Sequence, residues 1–435
     1  FVPGGRIMFG AGNPRRATLL NCFPAGTSVL TREGFKPIEQ VVVGDEVLTH
    51  RNRFRPVTAT LRREVEEPLR VLRLWYLGDQ PIYATGDHRF LCFDGTRVRW
   101  VAAKDLTPSH YVRVGRLAPR EDSSPRELDL ADYVAGELLE DGAGSVYTAT
   151  VYVGGHGAVG VKESKRVRRK VAVDERFGLW LGFFVAEGGL TENSVYFTFH
   201  KDERAHAETV CELTWQLFGV EATIQERVAQ PGHWLRVYAH SRLLARFVQA
   251  FFHGGVKASE KRLPGWFLVA PKKVQRAFLA GLLLGNGVVG DRFVKLFLAN
   301  PTLVRQVFAI LLRLGIVASL RWEGVLRDTR HRGMWIHIGT KRYVDTVKAW
   351  LGGSWDQESQ FEEARGNHLY RVTEGELFVK VKECGWTERR RQTVYDLCVR
   401  EDHSFVAEFA VAHNCYVIPI QGDSLEDIFE WCKQA

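Results

Sequence analysis

The sequence predicts a mixed architecture: an all-β domain, discontinuous in the chain, opened to admit an inserted α+β domain of two repeats. Three observations predict it. Short β-branched runs cluster near both ends of residues 22–414. Helical patterns dominate between about 174 and 350. Within that helical stretch, one segment recurs with its features in the same order.

The 435 residues allow about three domains. With 45% hydrophobic, 25% charged and 11% aromatic residues, the chain can bury more than one core, which excludes a mostly disordered protein. No apolar run approaches ~18 residues, so no membrane span is expected. The opening FVPGGRIMFGAG lacks the basic-then-apolar plan of a secretory signal. Seven cysteines, at 22, 92, 211, 384, 398, 415 and 432, are too scattered for a disulfide scaffold. Without a CxxC pair they also argue against structural zinc. A reducing compartment, the cytoplasm, and a monomer are expected. The net charge of +8 points weakly to an anionic partner such as nucleic acid.

The flanks differ from the middle. Residues 1–21 carry three Arg and no acid, and residues 415–435 carry four acids against one Lys, so the whole excess charge lies in 22–414. The first flank reads as short turns. The last reads as a strand, YVIPI, a turn, and a helix capped at Ser424. β structure starts with residues 27–31, 46–49 and 71–76, separated or bounded by Gly34, Gly44 and Gly78. Residues 120–150 mix Ser, Pro, Gly and acids and mark a boundary. AHAETVCELTWQLFG and NPTLVRQVFAILLRLG read as helices, and β character returns in VYDLCVREDHSFVAEFAVAHN, residues 394–414.

The repeat pairs FGLWLGFFVAEG, residues 177–188, with RAFLAGLLLGNG, residues 276–287. Small residues at 178, 182 and 186, and at 277, 281 and 285, fall on one face of each helix. Two such faces let helices pack very closely. Both helices end at Gly, which would bring Glu187 and Asn286 together where they stop. QLFGVEATI and LRLGIVASL, residues 216–224 and 312–320, extend the parallel. Each copy is expected to be a helix, a pair of strands, and a further helix and strand.

The paired helices resemble the LAGLIDADG motifs of homing endonucleases, and the β segments resemble the splicing blocks of an intein. CFPAGTSVLTREGFKPIEQVVVGDEVL, residues 22–48, resembles the N-terminal splicing block. TGDHRFLCFDGTRVRW, residues 85–100, resembles the block with a Thr-x-x-His signature. Residues 394–415 resemble the two C-terminal blocks. Lys261, in KRLP, falls where these endonucleases often carry a basic segment. The resemblance implies an all-β Hint (horseshoe) splicing domain with an inserted LAGLIDADG domain of two pseudo-symmetric repeats. The corresponding organisation is a flanking extein segment at 1–21, splicing domain at 22–120, and a linker or accessory, DNA-contacting segment at 121–173. The endonuclease-like domain follows at 174–350, a linker or return to the splicing domain at 351–392, splicing domain again at 393–414, and an extein segment at 415–435. The joined flanks, ATLLN-CYVIPIQGDSLEDIFEW, resemble the catalytic large subunit of a ribonucleotide reductase. FVPGGRIM points to the cobalamin-dependent class, and Cys415 would then belong to that enzyme's redox pair.

The splicing chemistry follows from residue types. The thiol of Cys22 can attack the preceding carbonyl, that of Asn21, to give a thioester. A thiol has a pKa of ~8.5, so a base or a local field must help form the thiolate. A lone Cys is otherwise a small buried hydrophobe. The spacing of Thr85 and His88 lets a hydroxyl and an imidazole converge on one carbonyl from the same turn. The resemblance implies that His88 protonates the leaving nitrogen while Thr85 holds the strained bond. Asp87 is expected to stabilise the turn. Asn414 can attack its own carbonyl, form a five-membered imide and cut before Cys415, with His413 and His403 as candidate proton donors. Cys415 attacks the Cys22 thioester. Asp396 matches the position that in many inteins links the first and last steps, or else bonds a turn amide. Cys92 and Cys398 are expected to fill core space. No cofactor is expected for splicing, whose partners are the exteins in cis.

LAGLIDADG enzymes set one carboxylate from each helix end around shared divalent metals. Glu187 is the candidate metal ligand, and Asn286 stands where an Asp is expected. An amide is a poorer ligand for a hard cation. Any DNA cleavage is expected to need Mg²⁺ and to be weak, on duplex DNA of the host-gene insertion site. Candidate DNA contacts are Lys165, Arg166, Arg168 and Arg169 in one basic run and Arg327 and Arg330 in another, although such runs are usually solvated faces. Three readings stand: a self-splicing precursor with a degenerate endonuclease; an active homing endonuclease carried by its splicing ends; and a reductase fragment with an inert insert. Asn286 speaks against the second. The set Cys22, Thr85, His88, His413, Asn414 and Cys415 speaks against the third.

Overall fold

The computed structural model describes residues 7–9, 16–19, 21–78, 81–117, 124–153, 159–229, 232–253, 255–322, 333–363, 366–414 and 417–419. Cys415, Arg327, Arg330 and the helix expected at Ser424 lie outside the described residues. The chain is mixed helix and strand and forms two compact units. One takes Phe1–Pro119, Ser319–Arg321 and Gln360–Ala435; the other takes Arg120–Ala318 and Trp322–Ser359.

The first unit is β. Among the described residues, one sheet gathers 15 strands. Its spine is the strand Phe54–Glu67, paired antiparallel with Arg390–Val399. Arg63 lies opposite Val394 and Leu61 opposite Asp396. The short strand Phe23–Pro24 lines the other edge of Arg390–Val399, with Phe23 opposite Tyr395. That register carries Cys22 to the middle of the strand pair. A hairpin, Ser404–Ala407 and Ala410–His413, turns through Glu408 and Phe409, both at positive φ (46° and 66°). Two such residues make the turn whose twist matches the flanking strands. Ala412 then pairs with Phe90 of the strand Arg89–Phe93. The turn holding Thr85 and His88 leads directly into that strand.

The strands Tyr370–Thr373 and Glu376–Trp386 also belong to this sheet, so much of the stretch expected as a linker or a return to the splicing domain is part of the β unit. Leu377, Phe378, Val379 and Val381 are buried there, between Glu and Lys residues that make the segment look solvated. In the flanks, the strand Arg16–Leu19 pairs antiparallel with Ile7–Phe9 and with Val417–Pro419, Thr18 standing opposite Val417.

The second unit contains six α-helices among the described residues: α1 (Glu175–Glu187), α2 (Arg204–Phe218), α3 (Arg242–Phe251), α4 (Lys272–Asn286), α5 (Pro301–Arg313) and α6 (Lys341–Leu351). Two series run helix, two strands, helix, two strands, helix. Each adds one strand and one helix to the expected unit. Asp174 caps α1 by accepting from the Arg176 and Phe177 N–H groups, and Asn300 caps α5 in the same way, with Pro301 at its first position. The small-residue faces of α1 and α4 meet backbone to backbone. A Cβ on Gly182 would lie 2.2 Å from the Phe278 carbonyl oxygen, and one on Gly281 would lie 2.3 Å from that of Leu179. The sheet Gly188–Thr191, Ser194–His200, Gly232–His240, Ala222–Ala229 follows α1 in that spatial order. Ahead of α1, residues 127–172 form three small antiparallel sheets. No helix among the described residues is long and apolar enough to cross a membrane.

Candidate functional site

At the first junction, the N–H of Cys22 donates to Thr85 Oγ1 at 2.9 Å. The N–H of Thr85 donates to the Cys22 carbonyl, also at 2.9 Å. Thr85 thus grips the peptide bond between Asn21 and Cys22 on its nitrogen side and fixes the residue that follows. Cys22 is 3% exposed and packs with Val65, Leu69 and Val394. Burial pushes its thiol up to about 12, Asp396 adds to the rise, and Arg63 opposes it. Arg63 Nε donates to Cys22 Sγ at 3.4 Å. Asp396 is fully buried and accepts from the Leu397 N–H at 2.8 Å.

His88 is fully buried and packs against the rings of Phe23 (4.1 Å between centroids), Phe90 and Phe405. Its N–H donates to the Thr85 carbonyl at 3.1 Å, closing the turn. Neither ring nitrogen has a hydrogen-bond partner among the described residues. Burial, with the nearby His413, pushes the imidazole down to about 3. The ring is therefore neutral at pH 7. It can take a proton and pass one on, but it does not wait as a charged acid. Asp87 instead faces outward and pairs with Lys104 at 2.6 Å.

At the second junction, His413 Nδ1 lies 2.8 Å from the Asn414 carbonyl oxygen, the carbonyl that imide formation would attack. Burial lowers the pKa of His413, and the bond to Asn414 opposes that. Neutral His413 with its proton on Nδ1 donates to this oxygen. Asn414 is buried, and its side chain has one satisfied orientation. Nδ2 donates to the His403 carbonyl at 2.7 Å and Oδ1 accepts from the Val399 N–H at 2.8 Å. The Asn414 N–H donates to the same His403 carbonyl at 3.0 Å. His403 takes φ +48°, so this carbonyl is aimed by a left-handed turn. His403 thus meets Asn414 through its backbone. Cys92 and Cys398 are buried in the sheet.

The helix-end site is weaker. Burial pushes Glu187 up to about 7, Glu203 adds to this, and Lys261 opposes it. Asn286 donates from Nδ2 to the Phe297 carbonyl at 2.9 Å, leaving only its amide oxygen to face an ion. No group of three or more His, Cys, Asp or Glu side chains gathers around a common point among the described residues. This donor set does not fit a hard divalent cation, which prefers several charged oxygens. Lys261, a candidate basic residue of the endonuclease, is buried. Its Nζ donates to the carbonyls of Phe184, Val185 and Gly188 at 2.8, 3.1 and 2.8 Å. All three ammonium hydrogens are used to cap the C-terminal end of α1, so none remains for a phosphate. Of the candidate DNA contacts, Arg166 pairs with Glu163 and Asp141, and Arg169 with Asp129 and Glu140. Acids spaced along the chain neutralise these two. Lys165 and Arg168 are exposed.

Sequence reasoning missed two kinds of residue. Arg63 lies in TLRREVEE, where nothing but strand alternation marks it. Arg236, on the sheet after α1, lies over Tyr196 and Tyr238, 5.2 and 6.0 Å from the two ring centroids. Its strand alternates buried and half-buried residues. That period of two identifies the outward face, but it does not tell that the three side chains meet.

Residues 21–120 match the Hint domain family, and residues 273–352 match the LAGLIDADG-like domain family. Together the matches define an intein-like architecture, a Hint domain followed by a LAGLIDADG domain. An uncharacterised protein of Methanocaldococcus jannaschii is 23% identical over 91% of this chain and 50% of its own length. The ATP-dependent DNA helicase Hel308 of Thermococcus kodakarensis is 24% identical over 92% of this chain and 36% of its own. An iron-sulfur cluster assembly SufBD family protein of Mycobacterium tuberculosis is 24% identical over 93% and 44%. The chain thus spans half or less of the length of these relatives. Among solved structures, the homing endonuclease I-DmoI in complex with DNA and Mn is 20% identical, over 41% of this chain and 97% of that one, with a TM-score of 0.32.

Proposed function

We propose that the chain is a self-splicing intein precursor: residues 22–414 excise themselves and join residues 1–21 to 415–435. One observation carries the reading. Each of the two peptide bonds to be broken is hydrogen-bonded by the residue expected to act on it, Thr85 at Cys22 and His413 at Asn414. The relatives add support, because nearly the whole chain matches inside proteins as different as a helicase and a SufBD family protein, while covering less than half of each. An element that moves between hosts matches in this way. The strand pair of the flanks, Thr18 opposite Val417, also keeps the two ends to be joined close together.

In the first step the Cys22 thiol loses its proton to Asp396 and its sulfur bonds to the Asn21 carbonyl carbon. The C–N bond breaks, and neutral His88 takes up the proton released to Asp396 and passes it to the Cys22 nitrogen while Thr85 holds it. Cys415 then attacks the thioester, and its own proton leaves with the Cys22 thiolate. Next, Asn414 Nδ2 bonds to the Asn414 carbonyl carbon, with the developing negative charge on the oxygen stabilised by His413. The bond to Cys415 breaks, its nitrogen takes a proton, and that amine captures the flank from the Cys415 sulfur. The His403 carbonyl and the Val399 N–H hold the Asn414 amide in position for this attack. The host we propose is a ribonucleotide reductase large subunit, on the joined flank ATLLN-CYVIPIQGDSLEDIFEW.

The test separates the two ends. Cys22→Ala should abolish thioester formation yet leave cleavage after Asn414. Asn414→Ala should block release of the C-terminal flank yet let added thiol cut before Cys22. If both variants splice at the unmodified rate, the assignment of nucleophiles is wrong. For the endonuclease we propose a degenerate DNA-binding domain. Binding to the uninterrupted host duplex should be salt-sensitive, with little cutting in Mg²⁺ and a gain on Asn286→Asp. Efficient double-strand cutting by the unmodified chain would contradict this.

A further inference from the structure

A buried thiol held at about 12 is a poor nucleophile, because almost none of it is thiolate at neutral pH. Its surroundings oppose ionisation. Val65, Leu69 and Val394 surround it with hydrocarbon, and the charged groups acting on it are Asp396, Glu67 and Arg63. Two of those three are anions. Arg63 is the cation, and it touches the reacting atom: its Nε–H points at Cys22 Sγ from 3.4 Å. The contact is built by register. Phe54–Glu67 pairs with Arg390–Val399 so that Arg63 stands opposite Val394, while Phe23 stands opposite Tyr395 on the other edge. Glu67 lies 3.6 Å from the guanidinium, four residues along the same strand.

We propose that Arg63 is a further catalytic residue of the first step, binding the Cys22 thiolate and holding its charge until it attacks the Asn21 carbonyl. This rests on the splicing reading above. Arg63 gives up no proton. The thiol proton leaves, the sulfur–carbon bond forms, the carbon–nitrogen bond breaks, and the Cys22 nitrogen is protonated. Arg63 lowers the cost of the first of these events, because a bond from a guanidinium N–H to a thiolate is charge-assisted and one to a thiol is not. Arg suits the task, since it stays charged at every working pH even when partly desolvated.

The experiment isolates the first step in an Asn414→Ala, Cys415→Ala chain and measures thiol-induced cleavage before Cys22 from pH 6 to pH 10. With Arg63 present, the rate should rise about tenfold per pH unit, as thiolate does below its pKa. Arg63→Gln should cut the rate about tenfold or more at each pH, so that about one unit more alkali restores it. Arg63→Lys should recover part of the loss, because it keeps the charge but not the Nε–H. Glu67→Gln should speed cleavage about twofold by removing one of the two anions. Cleavage after Asn414, followed in a Cys22→Ala, Arg63→Gln chain, reports whether the fold survives. An Arg63→Gln rate equal to that of the parent would overturn the proposal. So would a loss that alkali does not recover, or a loss of cleavage after Asn414 as well, since either makes Arg63 a structural residue. If the parent chain gives no cleavage before Cys22 at all, the splicing assignment itself fails, and this inference with it.

Discussion

Individual residues carry opposing demands at this site. On the proposed splicing reading His88 exchanges protons with the first junction from a neutral, buried state, and that placement ties stability to pH. Its folded pKa of about 3 lies well below the ~6.5 of an unfolded chain. Between those values the unfolded state binds more protons than the folded one, so stability rises with pH and is lost as pH falls through that window. His50, bonded to Ser404 and held at about 4 chiefly by burial, acts in the same direction. In a chain made inert by Cys22→Ala and Asn414→Ala, each such His should cost about 1.4 kcal/mol per pH unit below 6.5. His88→Phe should therefore flatten the fall in melting temperature between pH 7 and pH 5, measured by calorimetry. An unchanged slope would show that His88 protonates freely in the folded chain. At this scale much was legible: Cys22, Thr85, His88, His413 and Asn414 are reactive types at recognisable spacings. Lys261 was not, because the basic string KRLP gives no sign that its ammonium is buried under α1.

At the scale of elements, close approach of backbones sets the packing of the helix-rich unit. Small residues every fourth position marked the contact faces of α1 and α4 in the sequence, and the two backbones do touch there. Gly182→Ala would drive a methyl to 2.2 Å from the Phe278 carbonyl, and backbone cannot yield as a side chain can. It should destabilise the helix-rich unit by about 3 kcal/mol or more, read as a lowered unfolding midpoint. Gly385→Ala, which meets no atom within 4 Å in its strand of the β unit, is the control and should change little. Other elements escaped sequence reading for physical reasons. The hairpin that presents Asn414 turns at Glu408 and Phe409, with neither Gly nor Asn to announce positive φ. The Glu408 carboxylate accepts from the Ser28 N–H at 2.7 Å, so tertiary contact supports the turn. Glu376–Trp386 gives a mixed signal in sequence, because its four charged residues equal its four buried ones in number and interrupt their alternation.

At the scale of the whole molecule, the residues proposed for splicing and the helix-rich insert lie in separate compact units. Cys22, Arg63, Thr85, His88, Asp396, His403, His413 and Asn414 all fall in the β unit. Replacing residues 120–359 with a short flexible linker takes only Ser319–Arg321 from the β unit and none of these residues, so it should leave splicing intact within about tenfold. A folded deletion chain that no longer splices would assign part of the splicing site to the insert. The outline of a β domain interrupted by a helical one was legible from composition and repeat alone. The stretch from 120 marked the change of unit that falls at Arg120, but the small sheets of residues 127–172 escaped, because their polar strands carry no periodic core signal.

The most direct measurement is the mass of the purified, unmodified chain followed over time and temperature, with and without added thiol. Splicing predicts two products from the 49.4 kDa precursor: residues 22–414 ending in an imide, one water lighter than the free acid, and residues 1–21 joined to 415–435. Their masses should sum to that of the precursor, because no water enters. A chain that stays whole under every condition, or that yields fragments whose masses sum to the precursor plus one water for each bond cut, as in hydrolysis, would contradict the account.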